Sequence, residues 1–125
     1  MIKYNFEELK KKAEAMQQFI ERPLPEEPNE LIKHLENVDV LMAQSGRMLA
    51  DAKYYQDAIK NAAILKSLSD EYSTLSQSAK NEFIKTEAKD QNYMVNWIDR
   101  INASAVHIKD SIRTIISYRK KELEL

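Results

Sequence analysis

The 125-residue chain has no cysteine, one glycine and three prolines. Without thiols it has no disulfide scaffold, no thiolate zinc site and no cysteine nucleophile. So little glycine and proline leaves few turn-forming positions, which nearly excludes a β-sandwich or barrel. A single glycine cannot build a phosphate-cradling loop, and no G-x-S-x-G nucleophile elbow is present. No apolar run approaches the ~20 residues that span a bilayer. The first twelve residues are charged and lack the apolar stretch of a signal peptide. An excess of one charge is also missing: 19 Lys and Arg face 20 Asp and Glu, a net charge of −1. That balance argues against a nucleic-acid coat, whose affinity rests on many phosphate contacts. At 43% hydrophobic residues the chain is still too apolar for a disordered tail. Its length is that of one domain. These features together predict a single-domain, all-α, soluble protein of the cytoplasm, without a membrane segment.

Three stretches punctuate the sequence. All three prolines lie in Arg22-Pro-Leu-Pro-Glu-Glu-Pro28, where each proline denies its predecessor the helical region. Five serines and a threonine crowd residues 67–78, where such side chains compete with the helical backbone. A polar run follows at Lys89-Asp-Gln-Asn92, with Asp90 a candidate N-cap. Four helical segments fit between them: an N-terminal helix within 1–22, then, after a connector at 23–28, a long helix at 29–66, a short helix at 79–89 and a long helix at 90–122. Asn5 followed by Glu8 has the form of a capping box for the first helix.

The second and fourth helices carry the strongest pattern. Leu31, Leu35, Val38, Met42, Ser45, Leu49, Ala52, Gln56, Ile59 and Ala63 recur at alternating steps of four and three. Met94, Ile98, Ile101, Ala105, Ile108, Ile112 and Ile115 do the same. A sustained 4-3 alternation is a coiled-coil seam, so the two helices should fold back as a long antiparallel hairpin. A second stripe (Leu41, Met48, Tyr55 and Ala62, with Trp97 and Tyr118 and the off-seam Val106 and Ile116) exceeds what one hairpin buries. The first helix, with Phe6, Leu9, Ala13, Met16 and Ile20, covers part of the surplus. The remainder predicts a homo-oligomer. The lone Gly46, inside the second helix, reads as a point of close helix packing.

No catalytic constellation is present. His34 and His107 are far apart, and neither has a zinc-motif partner. Glu-x-x-His pairs of the di-iron bundle type are missing, and paired acids such as Glu7/Glu8 and Glu26/Glu27 read as solvated surface. The expectation is a protein that is not an enzyme, with no metal and no cofactor. The fourth helix carries hydrogen-bonding groups close to its apolar stripe: Arg100, Asn102, His107 and Arg113. The second helix carries Arg47, Lys53, Tyr54 and Tyr55. A hairpin centred on the connector puts Lys53 and Tyr55 level with residues 101–105, and Arg47 level with 107–110. One reading is a polar seam that fixes helix register. The other is a pocket for an anionic, aromatic ligand. There Lys53, Arg100 and Arg113 clamp phosphates, Tyr54 or Tyr55 stacks on a base, and Asn102 and His107 recognise polar edges. The tail Tyr118-Arg-Lys-Lys-Glu122 is basic, but residues 91–125 hold only six cations against four acids. Cations there also suit a helix C-terminus.

Residues 99–118, Asp-Arg-Ile-Asn-Ala-Ser-Ala-Val-His-Ile-Lys-Asp-Ser-Ile-Arg-Thr-Ile-Ile-Ser-Tyr, resemble a recurrent C-terminal pattern, D-R-[LI]-N followed by H, D and R-[TS]-[LI]-[IL]-S. It occurs in small α-helical proteins of tailed phages and prophages. Residues 48–54 look like that family's central helix, so the resemblance covers about a third of the chain. It implies a phage origin, and hence the host cytoplasm, rather than a mechanism. By analogy with oligomeric helical phage proteins that sequester nucleotide signals, the expected function is an anti-defence protein that binds and sequesters a nucleotide-like ligand. The alternatives are an interaction module that inhibits a host protein, and an accessory to phage DNA recombination.

Overall fold

A computed structural model describes residues 1–124. Among them there are four α-helices, one short 3-10 turn and no strand: α1 (Phe6–Ile20), α2 (Pro28–Ser67), the turn Asp70–Tyr72, α3 (Gln77–Glu87) and α4 (Lys89–Glu124). At 40 and 36 residues, α2 and α4 are each more than 50 Å long at ~1.5 Å per residue.

Local chemistry sets the helix starts. The Asn5 side chain accepts the Glu8 N–H at 2.8 Å and opens α1. Ser76 accepts the Ala79 N–H at 3.1 Å and opens α3. The start of α2 differs from the sequence reading. Pro28, assigned to the connector, is the first helical residue, where its missing N–H leaves nothing unsatisfied. Glu27 caps this helix, its carboxylate accepting from the N–H groups of Asn29 (3.1 Å) and Glu30 (2.8 Å). Asp90, expected as an N-cap, lies in the first turn of α4 instead. α3 runs almost directly into α4: Ala88 closes α3, and its carbonyl accepts the Asn92 N–H at 2.8 Å.

The α2–α4 hairpin is the backbone of the fold. Leu31, Val38, Ser45, Ala52 and Ala63 of α2 and Met94, Ile98, Ile101, Ala105 and Ile112 of α4 are buried at the expected 4-3 positions. α1 lies against both helices, antiparallel to α2. Phe19 stacks on His34 with ring centroids 4.7 Å apart, while Phe6 meets Tyr55 edge-on at 6.4 Å. α1 therefore covers much of the second apolar stripe. Leu41 and Met48 are buried, Tyr55 is half-buried, and Trp97 donates its indole N–H to Gln17 at 3.0 Å. Gly46, expected at a close helix crossing, is exposed, and a Cβ added there would meet nothing within 4 Å. Its neighbour Ser45 faces α4, and the ~100° turn per residue carries Gly46 off that face.

The register of the hairpin also differs from the expected one. Asn102 donates to the Ser45 hydroxyl at 2.7 Å, Gln56 to Asn92 at 2.7 Å, and Lys109 pairs with Asp39 at 2.8 Å. These pairs put Arg47 level with about residue 100 rather than 107–110, a displacement of about eight residues or ~12 Å. The cause is the connector. It does not bisect the hairpin, because α3 folds back along the last turns of α2, where Lys66 sits over the Phe83 ring and Tyr72 packs on Phe83 at 4.8 Å. α4 therefore begins two turns short of the end of α2.

Candidate functional site

The eight residues singled out from the sequence are not gathered into one pocket. Asn102 is half-buried and spent on the seam, donating to Ser45, whose own hydroxyl donates to the Met42 carbonyl at 3.0 Å. Polar groups linked in this way fix register rather than wait for a ligand. Tyr55 donates its hydroxyl to the Tyr4 carbonyl at 3.1 Å, and Tyr54 packs edge-on against it, 5.8 Å away and largely exposed. Arg47 is exposed and contacts the Met1 carbonyl and Asp51. Lys53, His107 and Arg113 are exposed. Arg100 lines a surface hollow, and its neighbours there are Tyr93, Asn96 and Trp97.

The buried polar residues have structural work that the sequence did not suggest. Asp51, only 4% exposed, accepts the backbone N–H groups of Lys3 and Tyr4, each at 3.0 Å. It thereby pins the N-terminal segment across α2, with Tyr4 buried beneath Lys3 and Lys12. His34 is buried against Phe19, and its Nε2 has no hydrogen-bond partner. Burial, and secondarily the Arg22 charge, hold its pKa below the ordinary 6.5 and so favour its neutral form. Among the described residues no group of three or more His, Asp or Glu is placed to hold a metal ion, and no helix is long and apolar enough to cross a membrane.

The α1–α4 face has more recognition chemistry than the predicted seam. Tyr93, Asn96, Trp97 and Arg100 follow at spacings of three, one and three, which puts them on one side of α4. The Tyr93 and Trp97 rings are 6.0 Å apart, with Tyr93 67% exposed. Three adjoining hollows of about 230–350 Å³ share Tyr93. They bring Lys10 of α1, Lys85 of α3 and Lys89 to the same face, together with the acids Glu7 and Asp90. None of these lysines, nor Arg100, belongs to an ion pair among the described residues. The sequence signal was available, since the 93/96/97/100 spacing is helical. Spacing alone places Trp97 on the apolar stripe, and its half-exposed position follows only from where α1 ends up.

A scan against protein-family models finds no match to this chain, and searches of curated proteins and of solved structures find none.

Proposed function

We propose that the chain is a non-catalytic interaction protein that docks an acidic surface of a partner protein on its α1–α4 face. The observation that carries this reading is the exposed Tyr93 beside the half-exposed Trp97, with Arg100 one turn further on. Tyr, Trp and Arg are the residues that most often dominate binding energy at protein interfaces. Tyr and Trp present large rigid area with few rotamers to freeze. The surrounding lysines outnumber the acids, which selects an acidic partner and speeds its encounter. The resemblance of residues 99–118 to small phage proteins makes the partner a host protein and its inhibition the role.

A second reading keeps a nucleotide-like ligand and moves it to this face. A base would stack on Tyr93 or Trp97, and Arg100 would hold a phosphate. The exposed Tyr93 ring beside Trp97 favours it. Two of the three hollows sit at the lower edge of the usual 300–1,000 Å³ range of ligand cavities and the third falls below it, which supports the protein partner instead.

One experiment addresses both. The tagged chain and its Tyr93→Ala/Arg100→Glu variant are expressed in cells, and their retained components are compared by native mass spectrometry and affinity capture. Both positions are solvent-facing, so the variant keeps its fold. A protein retained by the parent and lost by the variant supports docking. A small mass in the nucleotide range lost in the same way supports the second reading. Identical retained components in parent and variant overturn both.

A further inference from the structure

A larger hollow lies elsewhere, at the end of the molecule where α2 begins and α4 finishes. It measures about 620 Å³, and its floor is Pro28, Leu31, Ile32, Ile116 and Leu123. α1 ends at Ile20, packed near His34, so this stretch of the hairpin has no third helix over it. Ile32 is 47% exposed and Leu123 87% exposed in consequence. The rim is charged asymmetrically. Glu26 stands on the α2 edge, and Arg119 and Lys120 stand on the α4 edge beside Glu122. None of these four belongs to an ion pair among the described residues, although they border one groove.

We propose that this groove is the seat of a second copy of the chain. A groove with one acidic and one basic edge is self-complementary in one orientation only. A two-fold axis running along the groove exchanges its edges, so Glu26 of each copy meets Arg119 and Lys120 of the other. An axis across the groove would instead set acid against acid. The dimer is therefore isologous, with the long helices of both copies running in the same direction. It buries the Ile32, Ile116 and Leu123 surface that α1 leaves bare, and its charged rim makes it weaken as salt rises. The interface is separate from the α1–α4 face and does not depend on the partner proposed there.

Sedimentation of the intact chain over a concentration series tests this, using two charge-reversal variants. Glu26→Lys and Arg119→Glu/Lys120→Glu each put like charges on both edges of the interface. Each alone is expected to weaken the dimer at least about tenfold, as misplaced interface charges do. Mixed in equal amounts, they are expected to re-form a dimer, because a basic edge then faces an acidic edge on both sides. Ile32→Lys, at an exposed position that the fold tolerates, is expected to give a monomer. A parent chain that stays monomeric at every concentration overturns the proposal. So does a dimer that ignores these changes and dissociates only with Leu65→Glu/Leu68→Glu at the opposite end.

Discussion

The two ends of the α2–α4 hairpin are built from the same repeat and finished differently. At the connector end α3 and the short turn fold back on α2, and Tyr72 and Phe83 stack beneath Lys66. In the middle, α1 and the N-terminal segment complete a three-helix core around Leu9, Met48, Ile98 and Ile101, all fully buried. At the other end, Leu31 and Ile112 are equally well buried between two helices, but Ile32, Tyr118 and Leu123 lie open. A heptad seam buries one stripe per helix, and a further helix is needed to bury the next. Where the chain supplies that helix the structure closes. Where it does not, apolar side chains such as Ile32, Tyr118 and Leu123 remain exposed.

The sharpest way to break this contrast is to make the same substitution in both places. Ile98→Ala, in the covered middle, is expected to cost about 2–5 kcal/mol in urea denaturation, through lost transfer energy and a cavity that cannot collapse. Ile116→Ala, half-buried at the open end, is expected to cost about 1 kcal/mol or less. Equal losses would mean that the two ends are packed alike. Asp51→Ala comes next, at about 2 kcal/mol, because it strands the buried N–H of Tyr4 and the part-buried N–H of Lys3. Hydrogen exchange should show the first five residues losing protection while α4 keeps its own. Gly46→Ala is expected to stabilise the fold by about 0.5–1 kcal/mol, since nothing opposes the added methyl and helix propensity improves. A loss of stability there would reveal a contact with another molecule.

The last effect is the dependence on pH. The folded His34 binds a proton more weakly than the unfolded chain does, because burial disfavours its charged form. The unfolded state therefore takes up the proton first as pH falls. Stability is expected to be level above about pH 6.5 and to decline below it. His34→Leu should flatten that decline between pH 7 and 5.5 in thermal melts. An unchanged slope would assign the effect to other groups.

Much of this architecture was legible in the residues. Alternating steps of four and three in Leu31–Ala63 and Met94–Ile115 require two helices that share a seam. Asn5, the proline run and the serine cluster mark where helices stop and start. The candidate site was less legible. Arg47, Lys53, Arg100, His107 and Arg113 are polar residues near an apolar stripe. Periodicity assigns each to a face of its own helix but says nothing about its level on the neighbour. That level was set by Ser45–Asn102, Gln56–Asn92 and Asp39–Lys109 and by the return path of α3, which moved the register about two turns from a symmetric hairpin.

By itself, then, the sequence determined the secondary structure, the seam and the absence of thiol or glycine-loop chemistry, because these depend on residue type and local spacing. Only the tertiary structure decided which apolar stripe α1 covers, that Asp51 holds the N-terminus, that His34 is buried against Phe19, and that Tyr93 is exposed beside a half-exposed Trp97. Each of these depends on contacts between residues far apart in the chain, and a local pattern carries no information on how far one helix slides along another.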